Sequence, residues 1–204
     1  MKNNSWLQHP IILEGEKVKL LPLEEIHFDE IISIAADEKI WKHYPVNYSN
    51  AEKHRKMLAE ALECRNDGSR YPFVIIDKLT NRIIGCTRYF LIDSYNKSLE
   101  IGFTWYIPSY WGTNYNTECK LLLLTHCFEA LRTARVQLKT CSENIRSQKA
   151  IEKIGAKFEG ILRKDRLREN GTYRSSAYFS IVDEEWPMSK QKLLNCLSQK
   201  FVIH

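Results

Sequence analysis

The sequence lacks the features that mark secreted, membrane-spanning and zinc-binding proteins. Its six cysteines form no Cys-x-x-Cys pair, and no Cys/His cluster has the spacing of a zinc site. No stretch approaches the roughly 20 apolar residues that cross a membrane, and the apolar run near the N-terminus is too short for a signal peptide. We therefore expect a cytoplasmic protein with free thiols, no metal and no membrane partner.

The composition is that of a globular chain with an uneven charge distribution. Of 204 residues, 44% are hydrophobic and 27% are charged, which is enough for one folded domain with a core. The formal net charge is +5, and residues 132–174 hold 12 Lys and Arg against 5 Asp and Glu. Such a basic stretch suits the phosphates of a cofactor, a nucleic acid or an acidic protein surface. Because no nucleic-acid motif accompanies it, we expect no nucleic-acid partner.

The hydrophobic pattern predicts an α/β (α+β) fold with a central mixed, largely antiparallel sheet flanked by helices. We assign residues 1–204 to a single domain, with 1–12 as an N-terminal extension and 186–204 as a C-terminal helical tail. Gly102 within a β-type run suggests a bulge, and Asn170-Gly171 between two β-type runs predicts a hairpin. Strands are predicted over 17–22, 72–77, 83–91, 98–106, 135–140, 158–168 and 172–182, and helices over 24–38, 50–65, 115–131 and 144–154, with a short helix from residue 186.

The most informative segment is the strand, short connection and helix that follow residue 98. Such a connection aims several backbone N–H groups and the positive end of the helix at one point, which suits a phosphate. Gly112, Asn114 and Asn116 would let the loop curl around an anion. An ordinary strand-to-helix connection with Asn caps explains the same composition equally well.

Three segments in the same order resemble the GNAT acetyltransferase superfamily. They are LEGEKVKLLPL at 13–23, LEIGFTWYIPSYWGTNYNTECKLLLLTHCFE at 99–129 and KTCSENIRSQKAIEKIGAKFEGILR at 139–163. The likeness covers roughly residues 13–187 and is nearest to the branch with the RimJ/RimL-type enzymes. It implies acetyl-CoA as donor and a primary amine as acceptor. Whether that amine is a protein N-terminus or a small molecule, and whether the protein is a monomer or a homodimer, stays open.

The resemblance also implies a set of cofactor-binding residues. The family's pyrophosphate loop reads Gln/Arg-x-x-Gly-x-Gly/Ala, and this chain departs from it at Trp111, Asn114 and Asn116. Since Asn enters the left-handed region more readily than other non-Gly residues, Asn114 can still provide the turn. The implied contacts are loop amides of Trp111, Gly112, Thr113, Asn114, Tyr115, Asn116 and Thr117 to pyrophosphate, and the strand backbone of Ile101, Gly102, Phe103 and Thr104 to pantetheine.

The third segment matches the family's Asn-x-x-Ser/Ala pattern at Asn144 and Ser147, which implies further CoA contacts. Many members have a Tyr seven residues after that Asn as the acid for the leaving thiolate, but here the position holds Ile151. Ser147 is the substitute donor that we name, although it is equally a first-turn helix residue that caps locally.

Two further groups of side chains are candidates for the reaction and the acceptor. Glu100 is the best candidate for the base that removes the amine proton, unless it only fixes an Arg or a backbone group. Trp41, Tyr44, Trp105 and Tyr110 are candidates for lining the acceptor pocket, unless they belong to the core.

Three functions are compatible with the sequence. The first is the acetyltransferase. The second is a catalytically weak or inactive acyl-CoA sensor with the same fold, because position 114 lacks Gly and position 151 lacks Tyr. The third is a nucleic-acid binder that uses the basic stretch.

Overall fold

The computed structural model describes residues 6–198, and its eight strands form one sheet in the order β1-β2-β3-β4-β5-β6-β8-β7. β5 and β6 run parallel, whereas every other neighbouring pair is antiparallel, which confirms the predicted mixed, largely antiparallel sheet. The strands are β1 (Leu13–Glu14), β2 (Val18–Pro22), β3 (Tyr71–Asp77), β4 (Arg82–Asp93), β5 (Ser98–Tyr106), β6 (Arg135–Cys141), β7 (Lys157–Leu167) and β8 (Tyr173–Val182).

Helices cover both faces of the sheet. They are α1 (Phe28–Ile34), α2 (Ala51–Asn66), α3 (Tyr115–Thr125), α4 (Ile145–Lys153) and α5 (Trp186–Ser198). Within residues 6–198, no helix is both long and apolar enough to cross a bilayer.

Two apolar clusters form the core, one on each face of the sheet. Because successive side chains of a strand point to opposite faces, β3 sends Phe73 and Ile75 to the cluster with α3 and α5. The same strand sends Val74 and Ile76 to the cluster with α1 and α2. This explains why β3 is buried along its whole length and reads as a continuous apolar run.

The first predicted helix is shorter than its sequence pattern. The prediction covered 24–38, but α1 spans Phe28–Ile34, after a 3-10 turn over Glu25–His27. The chain then restarts as a second 3-10 turn over Glu38–Ile40, because the Asp37 side chain accepts a hydrogen bond from the Lys39 amide at 2.9 Å. The local cap at Asp37 thus starts a separate turn, so the polar end of the predicted segment does not continue α1.

The other predicted elements lie close to their expected bounds. The helix predicted over 115–131 is α-helical to Thr125 and continues as a π-turn over His126–Ala130. The predicted hairpin is present, and β7 pairs with β8 up to Leu167 and Tyr173. Its turn spans 168–172, with Gly171 at φ +78°. The short strand β1 was not predicted.

Candidate active site

β5 and β6 lie side by side for three residue pairs and then separate. The last pair joins Glu100 to Gln137, and within the described chain the pairing ends there. Beyond this point β5 is held on its other edge by β4, and β6 by β8. The peptide groups on the inner edge of β5 therefore have no strand partner, and such an edge can pair with another extended molecule.

β5 contains a bulge in its pairing with β4, on the edge that faces away from β6. Cys86 of β4 lies opposite Trp105, whereas Arg88 lies opposite Gly102, so β5 has one residue more than its partner. Phe103 takes the unusual φ of +49° at this place. The bulge expected from Gly102 is thus confirmed, and it redirects the peptide groups that follow.

Three hydrogen bonds hold Thr104, the residue after the bulge. Its carbonyl accepts from the Tyr44 hydroxyl at 3.0 Å. Its hydroxyl lies 2.9 Å from the Lys120 ammonium and 2.8 Å from the Thr87 hydroxyl. Lys120 is 6% exposed, and burial lowers its pKa to about 8. The bulge is therefore fixed from both faces of the sheet.

The loop after β5 delivers free amides to the beginning of α3. The Trp111 amide, one of the expected loop amides, donates to the Pro108 carbonyl at 3.0 Å, and the next amide to bond back along the chain is that of Glu118, which donates to the Asn114 carbonyl at 3.0 Å. The amides of Tyr115, Asn116 and Thr117 therefore have no acceptor among residues 6–198. Together with the helix dipole, these N–H groups make the end of α3 attractive to an anion.

The expected left-handed turn lies at a different residue. Asn114 has φ −78° and ψ −4°, so the expectation that it supplies this turn is wrong. Gly112 provides the positive φ instead, at +77°. The loop already contains a glycine two positions earlier, so Asn114 can take the helical conformation at no cost.

Asp77, at the end of β3, anchors this loop. Its carboxylate accepts from the hydroxyls of Tyr110 at 2.8 Å and Tyr115 at 3.0 Å. Burial by itself raises the pKa of Asp77, but the hydrogen bonds from Leu79, Tyr110, Thr80 and Tyr115 outweigh it and hold that pKa below its ordinary value. Tyr110 therefore supports the loop on this side.

The beginning of α4 packs on the same loop. The Asn144 side chain caps α4 by accepting from the Ser147 amide at 3.1 Å. Arg146, which was not predicted, holds its guanidinium 3.9 Å from the centroid of the Trp111 ring. This contact brings a positive charge to the loop, beside the free amides of α3. Ile151 is 7% exposed and packs in the core.

Glu100 lies at the closed end of the cleft between β5 and β6. It is 3% exposed, and its carboxylate accepts from the Gln137 side-chain amide at 2.7 Å. It also lies 3.2 Å from the Lys139 ammonium. The predicted base is therefore held by a basic neighbour, which is a Lys of β6 and not an Arg.

Three of the four predicted acceptor residues, Trp41, Tyr44 and Trp105, meet in one aromatic cluster, whereas Tyr110 bonds to Asp77 instead. Trp41 is its centre, with ring centroids of the other members 5.2 to 6.2 Å away. Trp41 is only 2% exposed and its indole N–H donates to the Ala35 carbonyl, so it supports the other rings of the cluster from the protein interior. The other members are Tyr44, Tyr48, His54, Phe103 and Trp105.

Some members of this cluster reach the surface and some do not. Tyr44, Tyr48 and Phe103 are half-buried, whereas His54 is buried. Burial lowers the pKa of His54 to about 4, so the imidazole is neutral at physiological pH. Tyr48 and His54 were missed, since their segment carries no pattern that links them to β5.

One group of side chains resembles a metal site. Ligand atoms of His43, Cys141 and Glu143 lie within 4.8 Å of one another. However, Arg168 donates to the Glu143 carboxylate at 2.6 Å and lies 3.7 Å from the Cys141 sulfur. Its guanidinium already neutralises the only carboxylate of the group and would repel a cation. We assign no ion to it, and the absence of a metal stays a prediction.

Together these elements form a cleft with distinct chemistry along its length. The free edge of β5 can hold an extended, amide-containing chain, and the beginning of α3 can hold an anion at one end of it. The other side of the bulge carries the aromatic cluster, with Glu100 nearby on β5. Such a cleft can align two molecules that meet at the bulge.

Comparisons with known proteins agree with this geometry. The family model described as Acetyltransferase (GNAT) domain matches residues 17–157. N-acetyltransferase p20 of Bacillus licheniformis, itself uncharacterized, is 25% identical over 175 residues, which are 85% of this chain and 97% of that protein. The crystal structure of a GCN5-related N-acetyltransferase from Brucella melitensis shares 28% identity with a TM-score of 0.85, over 94% of this chain and 87% of that one.

A further solved structure shares the fold at lower identity. RimJ of Mycobacterium smegmatis, solved in complex with CoA-disulfide, has a TM-score of 0.78 and 19% identity. The match covers 95% of RimJ and 92% of this chain. At this identity the likeness concerns the fold alone.

Proposed function

The chain belongs to the GNAT acetyltransferase family, and on this premise we propose that it transfers an acetyl group from acetyl-CoA to a primary amine by direct attack. The observation that carries the proposal is the inner edge of β5, which is free beyond Glu100 and leads to the free amides at the beginning of α3. One edge of a sheet and one helix end thus offer partners for both the amide-rich and the phosphate-rich parts of CoA.

The residues of the cleft fit the donor along its length. We assign the pantetheine arm to the backbone of Ile101, Gly102, Phe103 and Thr104, and the pyrophosphate to the amides from Gly112 to Thr117. Arg146 adds the positive charge that the family pattern provides at position 111, where this chain has Trp111. In this proposal the departures from the family pattern alter the source of the charge without closing the site.

The reaction needs a neutral amine, a polarised thioester carbonyl and a route for one proton. The amine nitrogen attacks the carbonyl carbon, the carbon–sulfur bond breaks, and the sulfur leaves as a thiolate. We assign to a peptide N–H of the bulge at Phe103–Thr104 the role of polarising the carbonyl. We assign Glu100 the role of accepting the amine proton, directly or through a water.

The proton for the leaving thiolate needs a separate donor. Ile151 cannot supply it, and its side chain packs in the core. Ser147 is our candidate, because its amide is used by the Asn144 cap while its hydroxyl bonds to none of the described residues. The side chain is half-buried at the beginning of α4.

The acceptor and the setting follow from the same reasoning. A protein N-terminus, as in the RimJ/RimL branch, and a small amine are both compatible with a primary amine that reaches the bulge. We place the protein in the cytoplasm, in agreement with its six free cysteines. The alternative that keeps the fold is an acyl-CoA sensor, which the lack of Gly at position 114, together with the lack of Tyr at position 151, favours.

Calorimetric titration with acetyl-CoA, beside CoA and ATP, tests the proposal. We expect saturable binding of acetyl-CoA and much weaker binding of ATP, because ATP lacks the pantetheine arm that pairs with β5. Absence of binding at millimolar acetyl-CoA would overturn the assignment of the cleft. Binding without turnover on any amine would favour the sensor.

A further inference from the structure

Arg88 of β4 is a buried cation without a carboxylate partner. Its side chain is 3% exposed, and no carboxylate of residues 6–198 lies within 4 Å of it. Its guanidinium donates to the Met57 sulfur, which is a weak acceptor. A buried guanidinium normally has carboxylate or carbonyl partners that satisfy its fork of donors.

Other enclosed arginines of this fold have such partners. Arg174, the second buried arginine, donates to the His43 carbonyl at 2.6 Å and lies 3.3 Å from the Ser176 hydroxyl. Arg65 pairs with Glu24 at 2.8 Å. The lack of an oxygen partner at Arg88 is therefore specific to its place in the fold.

That place is the bulge of β5. The Arg88 guanidinium lies 4.1 Å from the centroid of the Phe103 ring, and Arg88 is opposite Gly102 in the strand register. Phe103 belongs to the aromatic cluster, which reaches the surface through its half-buried members. An unsatisfied cation therefore lies beside the point where the proposed acceptor and donor meet.

The neighbours of Arg88 leave its charge in place. Burial lowers its pKa to about 10, so it remains a cation at neutral pH. The titratable groups that interact with its charge are Cys86, Arg70, Tyr48 and Tyr44, together with the neutral His54. Burial raises the pKa of the Cys86 thiol to about 12 and also raises the pKa of both tyrosines, so none of these groups supplies a negative charge.

We propose that Arg88 binds a carboxylate of the acceptor, so that the acceptor is a small amino acid or a close analogue with its amine near that carboxylate. A carboxylate matches the guanidinium fork with two parallel hydrogen bonds. Because Arg88 stacks on the bulge residue itself, the carboxylate and the reacting amine must lie close together. A protein N-terminus does not bring a carboxylate there by its backbone alone. This inference rests on the proposed acetyl transfer.

The test uses the purified full chain and matched acceptors. Each amino acid is compared with its carboxamide and with its decarboxylated amine, and kcat/KM is measured from thiol release at saturating acetyl-CoA. Phosphoethanolamine and a short amidated peptide with a free N-terminus complete the panel. We expect at least one free amino acid to exceed its carboxamide by about 10- to 150-fold, the range for hydrogen bonds to a charged group.

Variants then assign that preference to Arg88. Arg88→Met is expected to abolish the preference while the Kd for acetyl-CoA is unchanged. Arg88→Lys keeps the charge but loses the planar fork of donors, so we expect it to reduce the preference. This variant takes the place of Arg88→Met in the test if the Met variant does not fold. Arg70→Met is the matched control, since the Arg70 guanidinium lies over Phe90 at 5.5 Å on the neighbouring part of the sheet. That variant should keep the preference.

Several outcomes would overturn the inference. Equal use of acids and carboxamides by the unmodified protein would do so, as would a preference that survives in Arg88→Met. Better turnover of phosphoethanolamine or the peptide would assign Arg88 to another acceptor. If acetyl-CoA binds but no amino acid is acetylated, this inference fails while the donor site stands. If acetyl-CoA does not bind, the proposed function itself fails.

Discussion

Replacing Gly112 by alanine tests the loop that joins β5 to α3. Gly112 has φ +77°, and no atom lies within 4 Å of the position that a Cβ would take. The substitution therefore adds no clash. Its cost is that of holding an L-residue in the left-handed region, about 1–2 kcal/mol.

Gly171 provides a matched control in the turn between β7 and β8. Its φ is +78°, and the space around its Cβ position is equally open. Gly171→Ala therefore carries the same backbone cost at a place that has no role in the proposed donor site. Any difference between the two variants in donor binding then reflects the position and not the strain.

We expect Gly112→Ala to weaken acetyl-CoA binding by about 5- to 30-fold, because 1.36 kcal/mol corresponds to a factor of ten. The loop is partly exposed, so in the free protein it can relax away from the strained conformation, and the cost then appears on binding. Calorimetric titration measures the affinity, and urea unfolding measures the stability of each variant. Unchanged affinity in Gly112→Ala, or an equal loss in Gly171→Ala, would refute the reasoning.

Three further variants test other parts of the site. Arg146→Ala should weaken acetyl-CoA binding by about 10-fold through loss of one charge-assisted contact. Lys149→Ala, on the exposed side of α4, should leave the affinity unchanged. Equal effects of the two variants in calorimetry would remove Arg146 from the donor site. Glu100→Gln should lower kcat at neutral pH and spare the Kd for acetyl-CoA; an unaffected rate would remove Glu100 as the base. Lys120→Met should stabilise the protein at pH 7 by up to roughly 3 kcal/mol, since the folded state lowers the pKa of this group from 10.5 to about 8. Below pH 8 the folded and the unfolded state both bind the proton, and the full free-energy cost of burying the charged Lys120 destabilises the fold. Between about pH 8 and 10.5 the unfolded chain binds more protons, and this cost decreases as the pH rises. Urea unfolding midpoints of the unmodified protein and of Lys120→Met, at pH 7 and at pH 10, measure the difference in stability. A variant that is less stable than the unmodified protein at both pH values would contradict the prediction.

The sequence predicts most of the sheet because runs of β-branched and aromatic residues and turn residues are local signals. Such runs locate β3, β4 and β5 within a few residues, and Asn170-Gly171 locates the hairpin between β7 and β8. Gly102 indicates the bulge, although the unusual φ belongs to Phe103. In each case the responsible residues are neighbours in the chain.

The site is less predictable because its contacts join distant segments. Arg146 meets Trp111 across 35 positions, and Lys139 meets Glu100 across 39. No local period indicates either contact. The loop also shows how one residue changes the requirement at another, since Gly112 removes the need for a left-handed Asn114.

The burial of Arg88 illustrates the same limit. Strand alternation places Arg88 on the face of β4 that also carries Cys86, which packs with α1 and α2. Alternation alone does not reveal whether a carboxylate faces an arginine there. The lack of such a partner emerges only when α2, β4 and the bulge of β5 are assembled.

The most direct test of the proposed acetyl transfer is amine-dependent release of free thiol from acetyl-CoA, measured with product analysis on a panel of primary amines. We predict that thiol release requires both the protein and an amine, equals the acetylated amine formed, and falls in Gly112→Ala but not in Gly171→Ala at subsaturating acetyl-CoA. Saturable binding of acetyl-CoA with no amine-dependent thiol release would contradict this account and identify the protein as an acyl-CoA sensor.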